Sequence, residues 1–312
     1  METNLDGFFH LYRQFATSEG KSPRTIECNI ADVRSFDWFL GGCQDIRHVT
    51  AEDLRRYIIY LQNRPRYATH PTIKSRDRNL SPDAIASYVR GIRSFWSWLK
   101  SENFIQDNPF VHVKPPKVPA KVVEPLFPDE VGCLLKAIPR EGKYNQRDRC
   151  IILTLYGIGP RVSEVFSLKL DNVNFSSSQI TVTGKGAKQR ALFMSPVLFK
   201  ALFRYRHNVR PDVESDFFFV DDVGRPVDRY YIEHKIASCA LQANIGRRVT
   251  PHLLRYSFAI QFLRNGGDPF TLQNILGHST LDMTRHYVRI ANTDVERSIK
   301  KFSPAEQLGK FI

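Results

Sequence analysis

The run QDNPFVHVKPPKVPAKVVEPLFP, residues 106–128, holds six prolines and shows no helical period. Proline lacks an amide donor and stiffens the chain, so the stretch reads as an extended linker. It divides a chain of 312 residues, long for one compact unit, into residues 1–118 and residues 119–312. Both parts are basic, at +4 and +9 of a net charge of +13. A positive surplus on both parts is expected if both touch one polyanion, and nucleic acid is the commonest.

Working toward the N-terminus, residues 1–105 keep a helical period throughout. Leu5, Phe8, Phe9, Tyr12 and Phe15 recur at helical spacing. Ser22-Pro23 and Ser81-Pro82 each offer an N-cap followed by a first-turn proline, and Thr50 offers a third cap. Four helices with short connections make an all-α bundle. One connection, residues 64–79, carries Arg64, Arg66, Lys74, Arg76 and Arg78 against Asp77 alone. It reads equally as a solvated loop or as a loop that contacts phosphates.

Toward the C-terminus the pattern is mixed. Helical stretches (DEVGCLLKAI, QRDRCIILTLYGIG) precede QITVT and QRALFM, which flank the turn GKGAK and read as a β-hairpin. Helical patterns return from residue 196, apart from the apolar run DFFFV. The fold class is therefore mainly α, with one small hairpin sheet in the second domain.

Composition excludes several classes. Cys28, Cys43, Cys133, Cys150 and Cys239 are scattered and form no CxxC pair, which fits reduced thiols in a cytoplasmic protein and neither a disulfide frame nor a zinc site. The N-terminus has no basic start followed by an apolar run, so no signal peptide is expected. No run of about 18 uncharged apolar residues is present, and no membrane span is expected.

The chemistry-bearing residues are individually ambiguous. In VTPHLLRYSFAIQFL, Thr250-Pro251 opens a helix that places His252 and Arg255 on one side. Such a helix start favours an anionic oxygen, although an incidental His and Arg on a solvated flank reads as well. In GDPFTLQNILGHSTLDMTRHY, Asp268-Pro269 opens a helix and Gly277 closes it, so His278 falls in the junction. Ser279 and Asp282 form a partial capping box for a further helix. Arg161 begins the helix of GIGPRVSEVFSL, where it caps or pairs with Glu164, and Lys185 stands in the hairpin turn.

Together, GxxxRxSE at 157–164, GKGxKxR at 184–190, HxxR at 252–255, and LGHS at 276–279 with Tyr287 nine residues after His278 resemble the tyrosine recombinase (phage integrase) family. The similarity covers about residues 125–290, and the basic helical segment before it is similar in kind to the family's core-binding domain. Departures are Pro160, where members commonly carry leucine, and Tyr256, where histidine is frequent. Neither removes a catalytic group.

The resemblance implies a metal-free, cofactor-free DNA strand transferase. Tyr287 would be the nucleophile, Arg161 and Arg255 the phosphate clamp, and Lys185 the general acid. His252 and His278 would donate to the phosphate, Glu164 would orient a neighbouring His or Arg, and His286 would be a bystander. The implied partners are a double-stranded DNA recombination site, gripped by both domains as a clamp, and further copies of the chain, as a tetramer. Integration, excision, transposition and dimer resolution all remain open. So do two alternatives, a type IB topoisomerase and a regulator that has lost cleavage. The tail after Tyr287, with Val295, Ile299 and Phe302 apolar, would dock on a neighbouring protomer or pack back on its own domain.

Overall fold

The structure, a computed structural model, describes residues 5–42, 45–66, 76–118, 123–184, 186, 188–278, 280, 284–285, 287–288 and 303. They fall into two compact units, residues 1–122 and residues 123–312.

The first unit is built on α1 (Leu5–Ser18), α2 (Pro23–Phe39), α3 (Ala51–Asn63) and α4 (Pro82–Ser101). Each serine or threonine cap works locally: Ser22 accepts from the Thr25 amide and Ser81 from the Ala84 amide, each at about one helical turn. Thr50 and Asp53 form a reciprocal capping box at the start of α3. The core is unusually aromatic. Tyr12, Phe36, Tyr57, Phe95, Trp96 and Phe110 are all fully buried, and Tyr12 meets Phe95 edge-on at 5.1 Å. Helices α2 and α4 approach closely because Gly91 faces Asp32; a Cβ there would lie 2.2 Å from Asp32 Oδ2.

Two features depart from the sequence reading. The basic connection is not a plain loop: Pro65–Arg66 (β1) pairs antiparallel with Arg76–Asn79 (β2). The proline-rich run is not free along its length either. Phe110 and Val113 are buried in the first core, and Leu126 is buried in the second. Proline removes donors but leaves apolar side chains able to dock, so each end of the run is anchored in its own unit.

The second unit comprises α5 (Pro128–Lys136), α6 (Lys143–Gly157), α7 (Val162–Phe166), a sheet, and then α8 (Pro196–Arg204), α9 (Arg229–Gln242), α10 (Pro251–Arg264) and α11 (Pro269–Leu276). The expected hairpin is β4 (Gln179–Thr183) against β5 (Gln189–Phe193), with Ile180 opposite Leu192. A third strand, β3 (Val173–Asn174), extends it through Val173 opposite Ile180. Two residues are too few to show an alternating pattern, which is why periodicity did not mark this strand. Helix α6 runs through the core, with Ile151, Ile152 and Leu155 buried, and packs on α10, whose Leu254, Ala259 and Ile260 are buried in the same core. Among the described residues no helix is long and apolar enough to cross a membrane.

Candidate active site

The site is assembled where helix ends and the hairpin meet. Thr250 caps α10 by accepting the Leu253 amide at 3.1 Å, with Pro251 in the first turn. This fixes His252 at the exposed start of the helix and puts Arg255 one turn deeper, only 5% exposed. Arg255 donates from Nη1 to the Gly159 carbonyl at 2.6 Å and from Nη2 to the Leu276 carbonyl at 2.8 Å. Burial, and then the like charge of Arg161, bring its pKa down to about 10, so it remains a cation at neutral pH. Gly159 must be glycine, since its φ is +60° and a Cβ would lie 2.4 Å from the Phe258 ring.

Arg161 stands at the N-terminus of α7. Its amide donates to Glu164 Oε2 at 2.7 Å, its Nη1 to Glu164 Oε1 at 3.0 Å, and its Nη2 to the Gly277 carbonyl at 3.4 Å. The side chain is still 35% exposed, which leaves its guanidinium reachable. Glu164 is buried, and burial pushes its carboxyl up. Hydrogen bonds from Arg190 and Arg161 outweigh that and hold it below its ordinary value.

Helix α11 ends on Gly277 in the left-handed conformation, and three consecutive carbonyls at this end each accept from an arginine. The Ile275 oxygen takes Arg190 Nε at 2.7 Å, the Leu276 oxygen takes Arg255, and the Gly277 oxygen takes Arg161. A helix C-terminus leaves carbonyls unsatisfied and carries partial negative charge, so it is a natural anchor for guanidinium groups. His278 follows directly. Its amide donates to the Gln273 carbonyl at 3.1 Å and its own carbonyl accepts from Gln273 Nε2 at 3.3 Å. Burial, then Arg255, Arg161 and Arg190, depress its pKa to about 4, so the ring is neutral near pH 7.

Tyr287 is 8% exposed. Its ring lies 5.8 Å from that of His278, nearly parallel at 14°, and 5.6 Å from that of Tyr256. Burial raises its phenol above the ordinary value, opposed by Arg255 and Arg161. A cavity of about 360 Å³ reaches it, lined in part by Arg248, His252 and Tyr256. Although His252 stands at the exposed helix start, partial desolvation of its ring, and then Arg255, hold it below its ordinary pKa. Tyr256, one of the family departures, donates its hydroxyl to the Val123 carbonyl at 2.9 Å.

The structure thus brings together Arg161, Glu164, His252, Arg255, His278 and Tyr287. Lys185, Ser279, Asp282 and His286 lie outside the described residues. The base of the hairpin is nonetheless at the site, for a Cβ on Gly184 would lie 3.5 Å from Arg161 Nη1. Of the basic connection, the Arg64 guanidinium lies 5.9 Å from the centre of the Tyr60 ring. Arg66, Arg76 and Arg78 are strand residues, and Lys74 lies outside the described residues. The tail beyond residue 288, apart from Ser303, also lies outside them.

Sequence reasoning gave no role to Arg190, the last residue of the GKGxKxR motif, and passed over Thr284. Arg190 had a signal: in β5 the even-numbered residues face inward, and Arg190 precedes buried Leu192 and Met194 on that face. An inward-facing arginine requires an acid, which is Glu164. Thr284, fully buried beside His278, had no comparable local signal.

Residues 125–293 match the family model described as the phage integrase family. The tyrosine recombinase XerC of Pediococcus pentosaceus is 30% identical over 305 residues, covering 94% of this chain and 97% of the relative. The tyrosine recombinase XerD of Staphylococcus saprophyticus is 30% identical over 309 residues, covering 96% of this chain and 99% of the relative. Among solved structures, the Tn1549 transposon integrase in complex with transposon right end DNA superposes with a TM-score of 0.71 at 20% identity. That match covers 89% of this chain and 93% of the integrase, and it speaks for the fold alone.

Proposed function

We propose that this chain, which belongs to the phage integrase family and is a tyrosine-type site-specific recombinase, cuts and rejoins DNA through a 3′-phosphotyrosine on Tyr287. The observation that carries the reading is the seat of Tyr287: a buried phenol stacked on neutral His278, in the field of Arg255 and Arg161.

A phenol with a raised pKa is by itself a poor nucleophile at neutral pH. A phosphodiester bound beside it changes that balance. Arg161 and Arg255 neutralise the two non-bridging oxygens and stabilise the charge of the pentavalent transition state. His252 and His278 donate to the same oxygens, and His252 takes the tyrosine proton. The phenolate oxygen bonds to phosphorus, the bond from phosphorus to the 5′-oxygen breaks, and Lys185 protonates that oxygen. Glu164 orients Arg161. The bond energy is kept in the phosphotyrosine, so a 5′-hydroxyl from another strand reverses the step without ATP.

On this reading residues 1–118 form a core-binding DNA domain and residues 119–312 the catalytic domain. The first domain's arginines at 64, 66, 76 and 78, with Lys74, contact phosphates. Exchange between two duplex sites needs a nucleophile for each of four strands, which makes the working assembly a tetramer, acting on cytoplasmic DNA in integration, excision, transposition or dimer resolution.

The test is a nicked duplex that traps the covalent complex, followed by denaturing electrophoresis. Wild-type protein gives a slower, protease-sensitive DNA adduct, and Tyr287→Phe gives none. An intact, DNA-binding wild type without adduct would overturn the enzyme mechanism. An adduct surviving in Tyr287→Phe would overturn the choice of nucleophile. Relaxation of a plasmid lacking any recombination site would instead favour a topoisomerase.

A further inference from the structure

Thr284 is fully buried, and its Oγ1 lies 3.1 Å from His278 Nδ1. It sits three residues before Tyr287, and Thr284, Arg285, Tyr287 and Val288 all have helical backbone. Hydroxyl and nucleophile both lie against the His278 ring. The imidazole is thereby held on two counts, by the hydroxyl at Nδ1 and by the Tyr287 ring stacked at 5.8 Å. Its backbone is held on two more, by both hydrogen bonds to Gln273.

A hydroxyl beside an imidazole nitrogen donates or accepts according to the tautomer. Here the surroundings choose. Nδ1 is occupied by Thr284, so Nε2 is the ring nitrogen left for whatever enters the site. The entering group is an anion, because the neighbouring side chains are the guanidinium groups of Arg161 and Arg255. A bare lone pair on Nε2 would repel an anionic oxygen, whereas an N–H would bind it. A neutral ring carries one proton, so a proton on Nε2 leaves Nδ1 as the acceptor, and Thr284 must then donate.

We infer that Thr284 is a positioning residue that donates its hydroxyl proton to His278 Nδ1 and so fixes His278 as the Nε2–H tautomer, a neutral donor to the scissile phosphate. The inference rests on the proposed strand-transfer reading for its purpose, but the tautomer is a property of the free protein. Because Tyr287 stacks on the same ring, the nucleophile lies directly against the histidine whose tautomer Thr284 sets.

The test is nitrogen NMR of the full-length protein with ¹⁵N-labelled histidine at pH 7, with the His278 signals identified by their loss in His278→Asn. The expected result is a protonated Nε2 and a bare, hydrogen-bonded Nδ1. A protonated Nδ1 would overturn the inference while leaving the Tyr287 adduct assay untouched. In that assay on nicked duplex, Thr284→Val, which keeps the shape and loses the hydroxyl, slows adduct formation about tenfold, the scale of one lost hydrogen bond. Thr284→Ser restores it to within roughly threefold of wild type. Equal rates for Thr284→Val and wild type would also overturn the inference. A failure of wild type to form any adduct counts against the strand-transfer reading, and the NMR result then decides the tautomer alone.

Discussion

Arg190 and Glu164 face each other in a two-pronged ion pair, Nη1 to Oε1 and Nη2 to Oε2, both at 2.8 Å. The same guanidinium donates from Nε to the Ile275 carbonyl. One residue of the hairpin thus ties the acid behind Arg161 to the end of α11, from which His278 projects. A planar fork with donors on two sides meets this geometry and a lysine does not.

Arg190→Leu removes one partner of a pair whose side chains are 13% and 2% exposed. We expect a loss of about 3 kcal/mol in urea unfolding at pH 7, mainly the cost of Glu164 left short of a partner. The folded pKa of Glu164 lies below its ordinary 4.5. The pair's stabilisation is therefore complete above pH 4.5 and fades as pH falls through the lower folded value. Wild-type and variant unfolding curves should converge in acid; a difference that stays constant would exclude the ion pair as its source.

His278 titrates the other way in charge but the same way in stability. Its folded pKa, about 4, lies below the ordinary 6.5, so between those limits the unfolded chain binds more protons. Stability is fully present above pH 6.5 and declines as pH drops toward 4. His278→Gln should flatten that part of the pH dependence in thermal or urea unfolding. An unchanged slope would place the titrating group elsewhere.

Gly277→Ala puts a side chain on a residue at φ +63° and a Cβ 3.2 Å from Arg190 Cδ and Nη1. The left-handed conformation costs an alanine about 1 kcal/mol, and displacing Arg190 adds to it. The larger effect should be on adduct formation, because the turn that aims His278 and accepts from Arg161 shifts. A variant with wild-type rates and a lowered melting temperature would confine Gly277 to a structural role.

Binding of duplex DNA should weaken steeply with salt, given a net charge of +13. If about six phosphates are neutralised, raising monovalent salt from about 50 to about 200 mM lowers affinity roughly a thousandfold. Replacing Arg64, Arg66 and Arg76 together by alanine should make the log–log slope shallower by up to about 3. A slope unmoved by the triple variant would remove the basic ribbon from the DNA interface.

Helix starts and most of the site's membership were legible in the sequence because they depend on neighbours. Ser22, Thr50, Ser81, Thr250 and Asp268 each cap through a bond to an amide three residues on. Gly277 ends α11 by its own backbone freedom. The hairpin at β4 and β5 announced itself through its glycine turn between apolar strands. The order and spacing of Arg161, His252, Arg255, His278 and Tyr287 are likewise linear facts, and they carry the family resemblance.

What only the tertiary structure decided is which groups hold those residues in place. Arg255 reaches carbonyls 96 residues before it and 21 after it, and Arg161 reaches a carbonyl 116 residues away. Arg190 and Glu164 are 26 residues apart, joined by the return of the hairpin. Hydrogen bonds are short and directional, so such partners are set by how α7, β5, α10 and α11 pack, which no local period encodes. A backbone carbonyl, moreover, has no identity in the sequence. The sequence by itself determined which side chains the family resemblance assigns to the site; packing determined that three successive carbonyls at the end of one helix hold the arginines, and that a buried threonine stands beside His278.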